Sequence, residues 1–138
     1  MDMEINRTSD DQTVPQRPLV LAVDDNEDNL NLINFTLDLF GFAFISAADG
    51  ETTLELARAY QPDLILLDIM LPDLDGVELI QMLKKDPRTK AIPIIAVTAL
   101  ARAEDQERIL AAGCNEYISK PYMVEDLEAL IRRYLTAE

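Results

Sequence analysis

Residues 64–76 read LILLDIMLPDLDG, and this stretch decides the fold. Leu64 to Leu67 are an unbroken apolar run, too short for a helix and suited to a strand buried on both faces. The run ends on Asp68, an irregular loop from Met70 to Asp73 follows, and Gly76 opens a helix reaching about Lys85. The same strand-then-helix unit recurs on either side. Upstream, Leu19 to Val23 form a strand that ends in Asp24 and Asp25. From Glu27 to Phe40 the residues Leu30, Ile33, Leu37 and Phe40 repeat at helical spacing before Gly41 stops the helix. Ala43 to Ala47 make the next strand, and after an Asp49-Gly50 turn a helix carrying Leu54, Leu56 and Ala57 runs to about Tyr60. Downstream, Ile92 to Val97 form a strand ending at Thr98, and a helix spans about Ala103 to Ala112 before Gly113. Glu116 to Ser119 form a short strand ahead of Lys120-Pro121, and a final helix is predicted to bury Val124, Leu127, Leu130, Ile131 and Tyr134.

Five strands alternating with five helices predict an α/β fold, because parallel neighbours need crossover connections that place helices on both faces of a doubly wound sheet. Residues 1–17 are expected to be a disordered acidic tail and residues 18–138 the folded domain, with no separate output module. The first eighteen residues contain no apolar stretch of the kind found in a signal peptide or membrane anchor.

Composition narrows the function classes. A hydrophobic content of 49% over 138 residues fills one core without disulfides, so a monomer that folds alone is expected. The formal charge of -14, from 12 basic and 26 acidic side chains, repels a phosphate backbone and an anionic membrane; neither nucleic acid nor lipid is an expected ligand. Cys114 is the sole cysteine and stands after Ala111, Ala112 and Gly113, which suits a small packed residue in a reducing, cytoplasmic setting. Histidine is absent. No phosphohistidine, no Ser-His or Cys-His pair and no imidazole metal ligand can therefore form.

In a doubly wound sheet the carboxyl ends of the strands open into one crevice where ligands bind. The residues expected there are Asp24 and Asp25, Asp68, Thr98 and Lys120. Clustered carboxylates repel one another unless a cation neutralises them, and Mg²⁺ suits oxygen ligands and bridges to phosphate. Zinc and copper are disfavoured by the lack of thiol and imidazole ligands. A carboxylate oxygen can then attack phosphorus, while the Lys120 ammonium holds negative charge and Thr98 donates a hydrogen bond. Each residue also has an ordinary reading: acids after a strand cap helices, and Lys before Pro or Thr after a strand are common in turns. Their joint occurrence at the ends of the first, third, fourth and fifth strands favours the site.

These residues closely resemble the receiver domain of two-component response regulators over about residues 18–136. The resemblance is carried by LAVDDNEDNL (21–30), LILLDIMLPDLDG (64–76), IIAVTAL (94–100) and EYISKPY (116–122). It implies the flavodoxin-like strand order 2-1-3-4-5. It also implies Asp68 as phosphoacceptor, with Asp25, Asp68 and the Met70 backbone carbonyl as Mg²⁺ ligands and Asp24 acting on the ion through water. Thr98 and Lys120 would contact the phosphoryl group, a cis Lys120-Pro121 bond would aim Lys120 into the site, and Tyr117 would be the aromatic switch residue. The implied donor is a histidine kinase, hybrid kinase or phosphotransfer protein. The implied downstream target docks on the face of helix four, strand five and helix five, with the chain a monomer or a phosphorylation-dependent dimer. On this reading the chain is a single-domain response regulator and not an enzyme. Met70 and Leu100, two residues after Asp68 and Thr98, are apolar and cannot activate a water; a phosphoaspartate lasting hours is expected. Three alternatives compete. An aspartate-nucleophile phosphatase would carry an acid where Met70 stands, a flavodoxin relative would need a Ser/Thr-rich phosphate loop where Asp24 and Asp25 stand, and a non-phosphorylated scaffold would not need all five site residues.

Overall fold

The computed structural model describes residues 18–99 and 102–135. The expected tail, residues 1–17, and Leu100 lie outside them. The elements follow in the order β1 (Leu19–Val23), α1 (Glu27–Leu39), β2 (Ala43–Ala47), α2 (Gly50–Tyr60), β3 (Leu64–Leu67), α3 (Gly76–Lys85), β4 (Ile94–Thr98), α4 (Ala103–Ala111), β5 (Glu116–Ser119) and α5 (Val124–Leu135). The strands form one sheet in the order β2-β1-β3-β4-β5, the order that the family resemblance implied. All four pairings are parallel.

The alternation of side chains along each strand divides the core into two layers. Leu21 and Val23, Ile65 and Leu67, and Ile94 and Ala96 face Leu54 and Ala57 of α2, Leu79, Ile80 and Leu83 of α3, and Ile109 of α4. Val20 and Ala22, Leu64 and Leu66, and Ile95 and Val97 face Ile33 and Leu37 of α1 and Leu127 and Ile131 of α5. Each fully buried Leu or Ile contributes about 1.5–3 kcal/mol from the area it removes from water, so the central strands dominate the stability. At the sheet's edge β5 is half-buried along its whole length; Tyr117 packs on the first layer and Ile118 on the second.

Short polar side chains set the helix starts. Asn26 accepts from Asn29 N for α1, Asp49 from Thr52 N for α2 and Asp75 from Val77 N for α3, meeting amides that the first turn leaves without partners. Acidic residues in those first turns add a favourable interaction with the helix dipole.

Two expectations need correction. β4 begins at Ile94 and not at Ile92, since Pro93 has no N–H and Ile92 N is held in a turn by Thr89 O at 3.0 Å. Val124 is not buried: it is 37% exposed beside Met123 at 63%, and of the expected stripe of α5 Leu127 and Ile131 are buried while Leu130 and Tyr134 pack half-buried against the same layer. Cys114 is buried, as its small neighbours implied. Among the described residues no helix is long and apolar enough to cross a membrane.

Candidate functional site

The crevice at the carboxyl ends of the strands is assembled by backbone hydrogen bonds that continue the ladder past each strand. Asp24 N donates to Ala47 O at 3.2 Å and Asp68 N to Val23 O at 3.0 Å, which sets both aspartates level with the end of β2 and β1. On the other flank Lys120 N donates to Thr98 O at 2.8 Å, and the Lys120-Pro121 peptide bond is cis, as the resemblance implied.

The side chains converge accordingly. Lys120 Nζ lies 3.2 Å from Asp24 Oδ2 and 3.2 Å from Asp68 Oδ2. Asp24, Asp25 and Asp68 each present a carboxylate oxygen, all within 4.8 Å of one another. Asp24 and Asp68 are buried and Asp25 is exposed. Asp24 Oδ1 accepts from Asn26 N at 2.9 Å, and Asp68 Oδ1 accepts from Met70 N at 3.0 Å. The structure thus brings together Asp24, Asp25, Asp68 and Lys120. Thr98 is fully buried at the end of β4 and joins the group through its carbonyl. Tyr117 lies one step further out on β5, half-buried, and its Oη donates to Gln106 Oε1 of α4 at 2.7 Å. The Met70 side chain points to solvent at 58% exposure.

Electrostatics show what the cluster lacks. Burial pushes the Asp68 carboxyl above its ordinary value and Asp24 adds to the rise, against the Met70 N–H and the Lys120 ammonium, which pull it down. For Lys120 the balance runs the other way: burial pulls its ammonium down, but Asp68 and Asp24 outweigh it and hold it charged. Among the described residues, one ammonium faces three carboxylates, which leaves the site short of positive charge. An all-oxygen donor set with a negative excess fits a hard divalent cation such as Mg²⁺.

Two neighbours were not legible as site residues in the sequence. Tyr122, with Asn29, Leu32, Ile33 and Pro121, lines a recess of about 340 Å³ that opens beside Asp24 and Lys120. Only its place just after Lys120-Pro121 pointed to it. Asp73 reaches from the loop after Asp68 to the start of α2, where its carboxylate accepts from Gly50 N and Glu51 N. That contact joins segments more than twenty residues apart and has no local signal.

Known proteins share this fold. Residues 20–132 match the profile of the response regulator receiver domain. The polar-differentiation response regulator DivK of Brucella anthropi is 44% identical over 116 residues, covering 84% of this chain and 94% of the relative, and that of Brucella ovis matches equally. Among solved structures, the receiver domain of a sensor histidine kinase from Pseudomonas aeruginosa PAO1 superposes with a TM-score of 0.82 at 32% identity, covering 88% of this chain and 99% of that one. That protein holds a magnesium ion coordinated in its active-site cleft. The chemotaxis protein CheY4 of Vibrio cholerae gives a TM-score of 0.81 at 28% identity, covering 86% and 99%. With a profile match over most of its length and a close relative spanning nearly all of its fold, the chain belongs to the response regulator receiver domains of two-component systems.

Proposed function

We propose that this receiver accepts a phosphoryl group on Asp68 from a phosphohistidine on a histidine kinase, hybrid kinase or phosphotransfer protein. The observation that carries the reading is Lys120 Nζ at 3.2 Å from both Asp24 and Asp68, with Asp25 in the same cluster. An Asp68 oxygen bonds to phosphorus as the phosphorus–nitrogen bond to the donor imidazole breaks. The electron pair leaves with that nitrogen, which takes up a proton. Lys120 holds charge on the transferring oxygens, and Thr98, buried beside it, offers its hydroxyl. Asp25, Asp68 and the Met70 carbonyl would ligate Mg²⁺ directly and Asp24 through water. When bound, the ion neutralises the carboxylates and the charge developing on the phosphoryl oxygens.

The output is a shift between two packings, in which Thr98 follows the phosphoryl group and Tyr117 follows Thr98. The Tyr117–Gln106 bond supports this reading, since it links the switch residue on β5 to α4. A downstream protein would read the α4–β5–α5 face, with the chain a monomer or a phosphorylation-dependent dimer. The solvent-facing, non-ionisable Met70 supports retention of the phosphoryl group over catalytic turnover. Incubation with Mg²⁺ and acetyl phosphate tests the proposal. One Asp68-dependent phosphoryl group per chain, absent in Asp68→Asn and without Mg²⁺, is the expected result. Steady phosphate release or no labelling overturns it.

A further inference from the structure

The bonds made by Asp73 exceed what helix capping requires. The starts of α1 and α3 are each served by a single local side chain, Asn26 or Asp75, and α2 already has the equivalent in Asp49, which accepts from Thr52 N at 2.7 Å. Asp73 nonetheless spans to the same helix, with Oδ1 accepting from Gly50 N at 2.7 Å and Oδ2 from Glu51 N at 3.1 Å. The neighbouring side chain reinforces the contact, because a Cβ at Gly50 would lie 2.6 Å from Leu74 Cδ1, so the loop sits directly on the helix start.

The two ends of this tether both lead to the carboxylate cluster. The β2–α2 corner holds Asp24, through Ala47 O. The loop that carries Asp73 also carries Met70 and follows Asp68, whose N–H is held by Val23 O. Its base is pinched by the Met70–Asp75 pairing and by Gly76 N donating to Ile69 O at 3.1 Å. Chain and hydrogen bonds therefore close a ring through Asp24, Ala47, Gly50, Asp73, Met70 and Asp68. The Asp73 bonds are the polar link that fastens the loop's far side. The Gly50 and Glu51 amides also hold the Asp73 carboxyl below the ordinary carboxylate range, so the tether stays ionised at neutral pH.

We propose that Asp73 is a positioning residue for the divalent cation: by tying the loop after β3 to the start of α2, it sets the spacing of Asp68 and the Met70 carbonyl against Asp24 and Asp25. The proposal rests on reading that cluster as the cation site. Outer groups that orient ligands commonly change metal affinity by about tenfold or more when removed.

Mg²⁺ titration of the full chain by calorimetry tests it, with thermal melts in chelator to follow the fold. Asp73→Ala is expected to weaken Mg²⁺ binding about tenfold. Asp73→Asn, which keeps one acceptor oxygen for Gly50 N, should recover most of the loss. Asp49→Ala removes only the local cap; it should lower the melting temperature while leaving the Mg²⁺ Kd at the parent value. Labelling by acetyl phosphate at saturating Mg²⁺ should be near parental in Asp73→Ala. Unchanged Kd in Asp73→Ala, or equal weakening in Asp49→Ala, overturns the tether while leaving the cation site standing. No Mg²⁺ uptake by the parent chain overturns the cation reading and the tether with it.

Discussion

Replacing Gly76 with alanine tests how tightly the loop after β3 is built. A Cβ at this position would lie 2.5 Å from Ile69 O, 2.6 Å from Ile69 Cα and 2.8 Å from Ile69 Cγ2. Ordinary carbon–carbon contact is about 3.5–4.0 Å, so the start of α3 and the backbone at Ile69 must separate by roughly 1 Å. Two of the obstructing atoms are backbone and cannot rotate away. Overpacking of this kind costs about 1–3 kcal/mol, and stretching the Gly76 N–Ile69 O bond adds up to about 1 kcal/mol. The better helix propensity of alanine returns at most about 1 kcal/mol, leaving a net loss near 2 kcal/mol. Urea unfolding in chelator measures it. Because Ile69 stands between Asp68 and Met70, Mg²⁺ affinity should fall as well. Gly41→Ala is the control: its φ of +86° is strained for alanine, but nothing lies within 4 Å of the added Cβ. It should lose about 1 kcal/mol and keep the parental Mg²⁺ affinity. A Gly76→Ala chain as stable as the parent, or a Gly41→Ala chain with weakened Mg²⁺ binding, refutes the reasoning.

The raised pKa of Asp68 gives a pH-dependent outcome: its proton is held more tightly in the folded than in the unfolded chain, so its contribution to stability is present at low pH and lost as pH rises through the raised value. Without a cation, Asp68→Asn should therefore be more stable than the parent at pH 7, with the gap closing as pH falls into the ordinary carboxylate range, as urea midpoints in chelator would show. Tyr117→Phe removes the 2.7 Å bond to Gln106 and should cost about 0.5–1.5 kcal/mol by the same assay, with labelling of Asp68 by acetyl phosphate unchanged. Isolated phosphoprotein should lose its label over hours, given the apolar Met70 two residues after Asp68; decay within seconds would contradict this.

Much of this architecture could be read from the chain because strands buried on both faces must be apolar throughout. The polar residue that ends each run, Asp24, Asp68 or Thr98, is then visible as the lip of the crevice. Lys120 was legible for its place after the last short strand. Strand order was not written in the periodicity, since any order that buries both faces satisfies the same pattern; it came from the family resemblance. The start of β4 was misread because Ile92 is apolar and buried, yet a turn and not the sheet takes its N–H. α1 shows the limit of helical spacing: Ile33 and Leu37 are buried as expected, but Leu32, Phe35 and Leu39 of the same helix are 53%, 65% and 67% exposed. Asp73 was invisible for the opposite reason, as its partners are fixed by a tertiary approach and not by neighbours in sequence.

The half-buried β5 has a mechanical consequence. It is the rim strand that runs directly into Lys120, and its successive side chains, Tyr117 and Ile118, are lodged in opposite halves of the interior. A tug at its carboxyl end is divided between both sides of the molecule, whereas a displacement of α1 or α4 is absorbed on one side alone. A shift of Lys120 in the crevice thereby bears on side chains in both halves of the interior at once.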